Sequence, residues 1–267
     1  MINPSQTWKL RTQTLYFNGQ PFFMGIVNVT PDSFSDGGSY FERSAAVDRV
    51  LQLIADGAGI LDIGGESTRP GSEGVGVEEE LRRVIPVVTA IVEAMPQNKR
   101  IPISIDTTKP QVAAETIQAG AEIINDVSPE TAPAMLHVLQ KTGAGYCVMH
   151  SQGMPKTMQL NPQYNNVVEE VFEILKRRRE KLINAGIEPE RIAVDPGLGF
   201  GKTTEHNWKL VENIERFHDL EAPVLVGHSR KKFIAETFDN RDAGTNYVTK
   251  KLIEKKVFVI RLHEIPK

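Results

Sequence analysis

The chain has 267 residues, of which 40% are hydrophobic and 24% are charged, a composition that excludes disordered and collagen-like classes. Its 31 basic and 34 acidic residues give a net charge of −3, which argues against a nucleic-acid or anionic-membrane partner. The apolar runs are shorter than the ~18 residues of a membrane-spanning helix, and no secretory signal is visible. We therefore expect a cytoplasmic protein.

Short apolar runs alternate with longer segments of helical period along the whole chain. The first segment, 15–22, predicts a β-hairpin around an Asn18-Gly19 turn that closes the floor of a barrel. Eight strands are predicted at 22–29, 59–63, 101–106, 122–126, 145–149, 192–195, 224–227 and 257–261. The helices between and after them are predicted at 44–56, 78–95, 110–119, 133–142, 164–185, 205–217, 230–237 and 245–255. The Arg177-Arg178-Arg179 run on one helix is interpreted as a solvated face.

Eight strand–helix units in this length match the ~250 residues of a (β/α)₈ barrel. A doubly wound sheet is the alternative. No linker divides the chain, so we expect residues 1–267 to form a single domain. Cys147, the one cysteine, lies in an apolar run and is interpreted as a buried strand thiol.

Polar residues follow nearly every predicted strand, where the loops of such a barrel form the active face. Asp and Asn also serve as helix caps and turn residues, but that explanation fits less well at so many strand ends. Residues 28–38 and 64–71 mix glycines, hydroxyls and prolines; either they close over a charged substrate or they are ordinary turns. The glycine-rich run 195–203 does not have the spacing of a phosphate-binding loop. A triad of Ser229, His228 and Asp195 is disfavoured, because adjacent side chains on a strand point in opposite directions.

Several motifs together closely resemble the dihydropteroate synthase family. They are GIVNVTPDSFSDG at 25–37, DIGGESTRPG at 62–71, ISIDTTKP at 103–110, INDVS at 124–128, MH at 149–150, KTMQ at 156–159, DPGLGFGK at 195–202, GHSRK at 227–231 and RLH at 261–263. The resemblance implies a (β/α)₈ barrel, a homodimer and a Mg²⁺ cofactor. It also implies transfer of 6-hydroxymethyl-7,8-dihydropterin from its diphosphate to para-aminobenzoate in folate synthesis.

The resemblance also implies roles for individual residues. The pterin would contact Asp106, Asn125, Asp195 and Lys231. The diphosphate would contact Asn28, Thr68, Arg69, Arg261 and His263, with Asn28 as the metal ligand. The para-aminobenzoate, and sulfonamides with it, would contact Phe34, Thr68, Arg69, Pro70, Phe200, Lys231 and Lys232. The resemblance therefore makes Asn28, Lys231, Arg261 and His263 the catalytic residues.

One position departs from the family pattern, because Lys232 stands where the family usually has serine. Its ammonium either pairs with the substrate carboxylate or points to solvent as the first residue of a helix. Two alternatives to the synthase are a catalytically silent pterin-binding paralogue and a methyltetrahydrofolate-dependent methyltransferase. The methyltransferase should lack the Ser-Thr-Arg-Pro-Gly loop and the Arg-x-His end, both of which are present here.

Overall fold

The computed structural model describes residues 6–29, 38–66, 74–95, 100–153, 158–159 and 161–266, with the backbone alone for 38–44. Eight parallel strands form a nearly closed barrel, in the order β8-β7-β6-β5-β4-β3-β10-β9. They are β3 (Phe22–Asn28), β4 (Ile60–Gly64), β5 (Ile103–Asp106), β6 (Ile123–Asp126), β7 (Gly145–Met149), β8 (Ile192–Asp195), β9 (Leu225–Gly227) and β10 (Val259–Leu262). A parallel bridge between Val194 and Val224 joins the two ends of the sheet. The predicted barrel architecture is confirmed.

Helices fill the connections between the strands. They are α1 (Gly38–Ala55), α2 (Val77–Ala94), α3 (Pro110–Ala119), α4 (Pro133–Thr142), α5 (Val167–Asn184), α6 (Thr204–Glu212), α7 (Lys232–Ala235) and α8 (Arg241–Glu254). Among the residues described, no helix is long and apolar enough to cross a membrane. Proline opens α3 at its first turn, where a missing N–H costs nothing, and Gly120 ends it with φ +121°.

Three predicted helices differ from the observed ones in their bounds. The helix predicted at 205–217 ends at Glu212, and a separate 3₁₀ helix covers Ile214–Leu220. The helix predicted at 230–237 has only four residues. The helix predicted to begin at 245 begins at Arg241, because the Asn240 side chain accepts hydrogen bonds from the N–H groups of Asp242 and Ala243.

The N-terminal hairpin exists, but its predicted position is wrong. Strand β1 (Thr7–Lys9) pairs antiparallel with β2 (Thr14–Tyr16), so the hairpin turn lies at 10–13. The Asn18-Gly19 pair instead forms the turn between β2 and the barrel, with Gly19 at φ +96°. The hairpin does cover the barrel floor, as predicted: Trp8 is fully buried and its Nε1 donates to the Arg191 carbonyl at 3.1 Å.

The barrel interior is layered, because residues two apart on a strand face the same side. The floor layer is apolar and packs against Trp8 of the hairpin; it includes Met24, Ile60, Ile123, Cys147, Ala193, Leu225 and Val259. One step higher, the same inward faces carry polar side chains, including Asp62, Asn125, Asp195 and Arg261. The burial predicted for Cys147 is confirmed.

The interpretation of the arginine run as a solvated face is wrong for Arg178. Its side chain is buried and donates to the carbonyl oxygens of Met149 at 2.5 Å and Ser128 at 3.0 Å. Both carbonyls lie at or just beyond the ends of strands β7 and β6. A buried guanidinium therefore ties α5 to two strand ends beside the barrel mouth.

Candidate active site

The polar layer at the barrel mouth brings together most of the described residues that the sequence assigned to the site. Asn28, Asp106 and Asp195 are the last residues of β3, β5 and β8. Asn125 and Arg261 lie in β6 and β10 on the same interior surface, and His263 follows β10 directly. Asp106, Asn125 and Asp195 are each less than a tenth exposed. Residues remote in sequence thus converge because every parallel strand ends on one side of the barrel.

Arg261 holds two carboxylates at the centre of this mouth. Its Nε donates to Asp62 Oδ2 at 2.6 Å, and its Nη2 donates to Asp106 Oδ2 at 2.8 Å. Asn125 Nδ2 adds a longer bond to Asp62 Oδ2 at 3.3 Å. The second oxygens of Asp62 and Asp106 are buried and have no hydrogen-bond partner among the described residues. The free oxygen of Asp106 is therefore an acceptor available to a ligand, since a buried acceptor is costly to leave unpaired.

The acidity of these groups reflects competition between burial and charge. Burial raises the pKa of Asp106 to about 7 despite the attraction of Arg261. Burial also raises the pKa of Asp195, with Lys231 opposing the rise. Burial lowers the pKa of Lys231 to about 8, although the charge of Asp195 opposes this fall. Near neutral pH the mouth can therefore both accept hydrogen bonds and hold protons.

Lys231 and Phe200 form one wall of the mouth. The Lys231 ammonium lies 4.4 Å from the centre of the Phe200 ring and donates to the Leu198 carbonyl. Asp195 Oδ1 accepts from the Gly197 N–H at 2.7 Å. Gly197 has φ +67°, and a Cβ there would lie 1.9 Å from the His150 carbonyl oxygen, so only glycine fits this approach.

The family resemblance makes Asn28 the metal ligand, and its position is compatible with that role. A Cβ built on Gly64 would lie 3.9 Å from Asn28 Oδ1 and 3.5 Å from Asp106 Cβ, so the Asn28 amide and the Asp106 side chain lie on the same side of Gly64. Within the described part of the chain, no group of three His, Cys, Asp or Glu side chains could hold a metal ion. One amide oxygen fits Mg²⁺ only if a phosphorylated substrate supplies further ligands.

The histidines of the mouth do not form a hydrolytic triad. His263 Nδ1 lies 2.9 Å from Ser229 Oγ. His228 points the other way, with Nε2 2.9 Å from Thr249 Oγ1 on α8. The disfavoured Ser229–His228–Asp195 arrangement is therefore not assembled.

Some predicted site residues lie elsewhere. Phe34, Thr68, Arg69 and Pro70 fall outside the described residues, so their roles stay predictions. Lys232 is the first residue of α7; its side chain is 89% exposed and its Nζ lies 3.3 Å from Glu236 Oε1. That placement matches the solvent-facing option, and its assignment to the aminobenzoate site also stays a prediction.

The sequence places Asp62 among the polar strand ends of the active face but gives it no role in the site. A usable signal existed, because a carboxylate inside the apolar run 60–64 needs a buried cation. Lys202 was also missed: its buried Nζ lies 2.9 Å from each of His150 Nδ1, Gly197 O and Phe200 O. Its place after a run of glycines resembles a surface loop, so the local pattern does not reveal its burial.

Comparison with known proteins shows which family the chain belongs to. Residues 24–263 match the family model described as pterin binding enzyme. The dihydropteroate synthase of Escherichia coli K12 is 43% identical over 249 residues, covering 92% of this chain and 87% of that protein. The Haemophilus influenzae dihydropteroate synthase is 40% identical, covering 92% and 89%.

Solved structures agree as well. The Xanthomonas albilineans dihydropteroate synthase with 4-aminobenzoic acid has a TM-score of 0.89 and 40% identity, over 98% of this chain and 93% of that one. The Yersinia pestis dihydropteroate synthase with a sulfonamide drug has a TM-score of 0.88 and 37% identity, over 97% and 93%. The chain therefore belongs to the pterin binding enzyme family, and within it to the dihydropteroate synthases. It is a transferase of folate biosynthesis.

Proposed function

We propose that this chain makes 7,8-dihydropteroate by joining 6-hydroxymethyl-7,8-dihydropterin diphosphate to para-aminobenzoate at the mouth of a single barrel domain. The observation that carries the proposal is the buried acceptor of Asp106, held by Arg261 beside Asp195 and Lys231. A Burkholderia cenocepacia dihydropteroate synthase, 36% identical with a TM-score of 0.85, is complexed with 7,8-dihydropteroate. That complex supports the same product here.

The pterin occupies the deepest part of the mouth. Asp106 Oδ1 and the Asp195 carboxylate accept hydrogen bonds from the ring N–H groups and the exocyclic amine. The Asn125 amide and the Lys231 ammonium contact the rest of the polar edge of the pterin ring. Selectivity follows, because a ligand without those donors would leave a buried carboxylate unpaired.

The diphosphate lies further out, against Arg261, His263 and Asn28, with Thr68 and Arg69 from the loop after β4. The bonds from Arg261 to Asp62 and Asp106 use two of its five N–H donors, so its remaining donors can face an anion. Asn28 would hold Mg²⁺ together with the diphosphate oxygens. When bound, the ion neutralises charge on the leaving group.

The chemistry is a dissociative substitution. The C–O bond to the pterin methylene breaks, and the electron pair leaves with diphosphate. The pterin ring nitrogens share the positive charge left on the methylene carbon. The neutral aniline nitrogen then forms the new C–N bond and loses its proton to water. Arg261 and His263 stabilise the departing charge, and no strong base is required.

The para-aminobenzoate enters last. Phe200 and Lys231 provide one wall of its site, while Phe34, Thr68, Arg69 and Pro70 come from the two loops, with Lys232 at the carboxylate end. Pterin diphosphate binds first, because loop closure over it completes this second site. The active form is a homodimer.

The test is formation of dihydropteroate from the two substrates, with and without Mg²⁺, in the wild type and in Asp195→Asn and Lys231→Met. We expect Mg²⁺-dependent product, reduced about 10- to 150-fold in each variant by the loss of a charged hydrogen bond. Lys209→Met, on the exposed side of α6, is the matched control and should retain full activity. Pterin binding without product would indicate a silent paralogue instead.

The order of binding is tested by calorimetry. Titration of para-aminobenzoate into the protein alone should give no measurable heat, whereas the same titration with a pterin, Mg²⁺ and diphosphate present should show saturation. Tight binding in the first titration would contradict the ordered scheme.

A further inference from the structure

The segment between β8 and α6, residues 196–202, is attached to neighbouring elements through its backbone. The Leu198 carbonyl accepts from Lys231, and the Gly199 N–H donates to Asn207 Oδ1 at 2.7 Å. The Gly201 carbonyl accepts from the Tyr164 hydroxyl at 2.9 Å. Three glycines in this segment have positive φ, so few side chains of its own can hold it in place.

Lys202 supplies the interior anchor of this segment. Its side chain turns back beneath the segment, and Nζ lies 2.9 Å from the carbonyl oxygens of both Gly197 and Phe200. The third neighbour of Nζ is His150 Nδ1, also at 2.9 Å, from the end of β7. These three neighbours satisfy the Lys202 amino group, whose pKa is lowered well below its ordinary value by burial.

Both anchored carbonyls belong to residues next to the proposed substrates. Gly197 is the residue whose N–H bonds to Asp195, and Phe200 carries the ring beneath the Lys231 ammonium. Lys202 itself is only 3% exposed and lies under the segment rather than in the mouth. It therefore acts through other residues.

We infer that Lys202, held by His150, is a positioning residue that sets the Phe200–Lys231 wall for para-aminobenzoate. The inference rests on the proposed function, which makes that wall part of the aminobenzoate site. Without the Lys202 amino group, three buried polar atoms lose their hydrogen-bond partner and the segment is free to shift. Asp106 and Asn125, on other strands, keep their places, so the pterin end of the mouth is affected less.

Lys202→Met tests this inference by separating the two substrates. We expect the KM for para-aminobenzoate to rise about tenfold or more. The KM for the pterin diphosphate should rise less, since Asp106 and Asn125 keep their places, and kcat should change less than about threefold. A purely structural loss of folded protein would lower kcat and leave both KM values unchanged. Lys209→Met, the exposed lysine of α6, is the control and should match the wild type.

His150 provides a second test that does not depend on Lys202→Met folding. In His150→Asn, the amide oxygen can occupy the place of Nδ1 and still accept from the lysine, whereas His150→Leu removes the acceptor. We expect the KM for para-aminobenzoate to rise in the leucine variant and to stay near the wild-type value in the asparagine variant.

Three results would overturn the inference: an unchanged KM for para-aminobenzoate in Lys202→Met, an equal rise for both substrates, or indistinguishable His150 variants. A crystal structure of Lys202→Met gives a readout independent of activity. It should show the Phe200 ring displaced from the Lys231 ammonium, and an unmoved ring would also refute the inference. An inactive wild type would contradict the proposed function. The position of the Phe200 ring in crystals of Lys202→Met and of the wild type would then decide whether Lys202 is a positioning residue.

Discussion

Replacing Arg261 with methionine should destabilise the folded protein in a pH-dependent way. The substitution leaves Asp62 and Asp106 buried without their shared cation. Breaking a buried ion pair by removing one partner costs about 3–5 kcal/mol. We expect a loss of that size in the free energy of unfolding at pH 8, measured by urea denaturation.

The pH dependence follows from the raised pKa of Asp106, about 7 in the folded protein. Between pH 4 and 7 the unfolded chain has released this proton and the folded chain has not, so stability falls as pH rises and levels off above 7. Removing Arg261 raises the pKa further, so the decline continues in the variant. The difference between the two proteins therefore grows by about 1.4 kcal/mol per pH unit above 7.

The assay compares the free energies of unfolding at pH 5.5 and pH 8. Arg82→Met is the matched control, since Arg82 is 62% exposed and pairs with Glu79 on the surface of α2. Exposed pairs contribute about 0–1 kcal/mol, so this variant should show a small loss at both pH values. An Arg261→Met loss below about 1 kcal/mol, or one that is equal at both pH values, would refute the reasoning.

Three further predictions concern activity and stability. Burial lowers the pKa of Lys231 to about 8, so kcat/KM for the pterin diphosphate should fall about tenfold per pH unit above pH 8. Lys231→Arg stays charged and should show a flat pH profile. A decline in Lys231→Arg that matches the wild type would count against the role of the Lys231 ammonium. Gly197→Ala should lower the free energy of unfolding by about 3 kcal/mol or more, since its Cβ would meet a carbonyl at 1.9 Å. Gly186→Ala, with φ +87° and nothing within 4 Å, should cost only about 1–2 kcal/mol, and equal losses in denaturation would contradict the steric argument. Trp8→Ala should cost about 3–5 kcal/mol by emptying the barrel floor, whereas the 61% exposed Tyr16 should tolerate alanine within about 0.5 kcal/mol.

The barrel could be predicted because its strands are short and buried and alternate with amphipathic helices, a pattern written in local sequence. The positions of the residues at the barrel mouth could be predicted from the same local pattern. Asp106 and Asp195 each end an apolar run, and parallel strands must end on one side. The resemblance to a known family then supplied roles that spacing alone left open.

Local pattern misplaced features that depend on distant contacts. Asn18-Gly19 has the sequence of a hairpin turn, yet the residues after it form strand β3 of the barrel, paired with β4 and β10, and those before it pair with residues 7–9. Arg178 lies in a charged run on a helix that the sequence alone places at the surface. It is buried only because α5 packs against the barrel, where carbonyls at the strand ends accept hydrogen bonds from its guanidinium. A side chain of either polarity can be buried when partners from other elements satisfy it.

The sequence by itself determined the order of strands and helices and most of the polar residues at the mouth. Tertiary structure decided which of those residues pair. Arg261 meets Asp62 across 199 residues and Asp106 across 155, and Lys202 meets His150 across 52. Such pairings are set by barrel closure and strand register, which place side chains within hydrogen-bond reach irrespective of their separation along the chain.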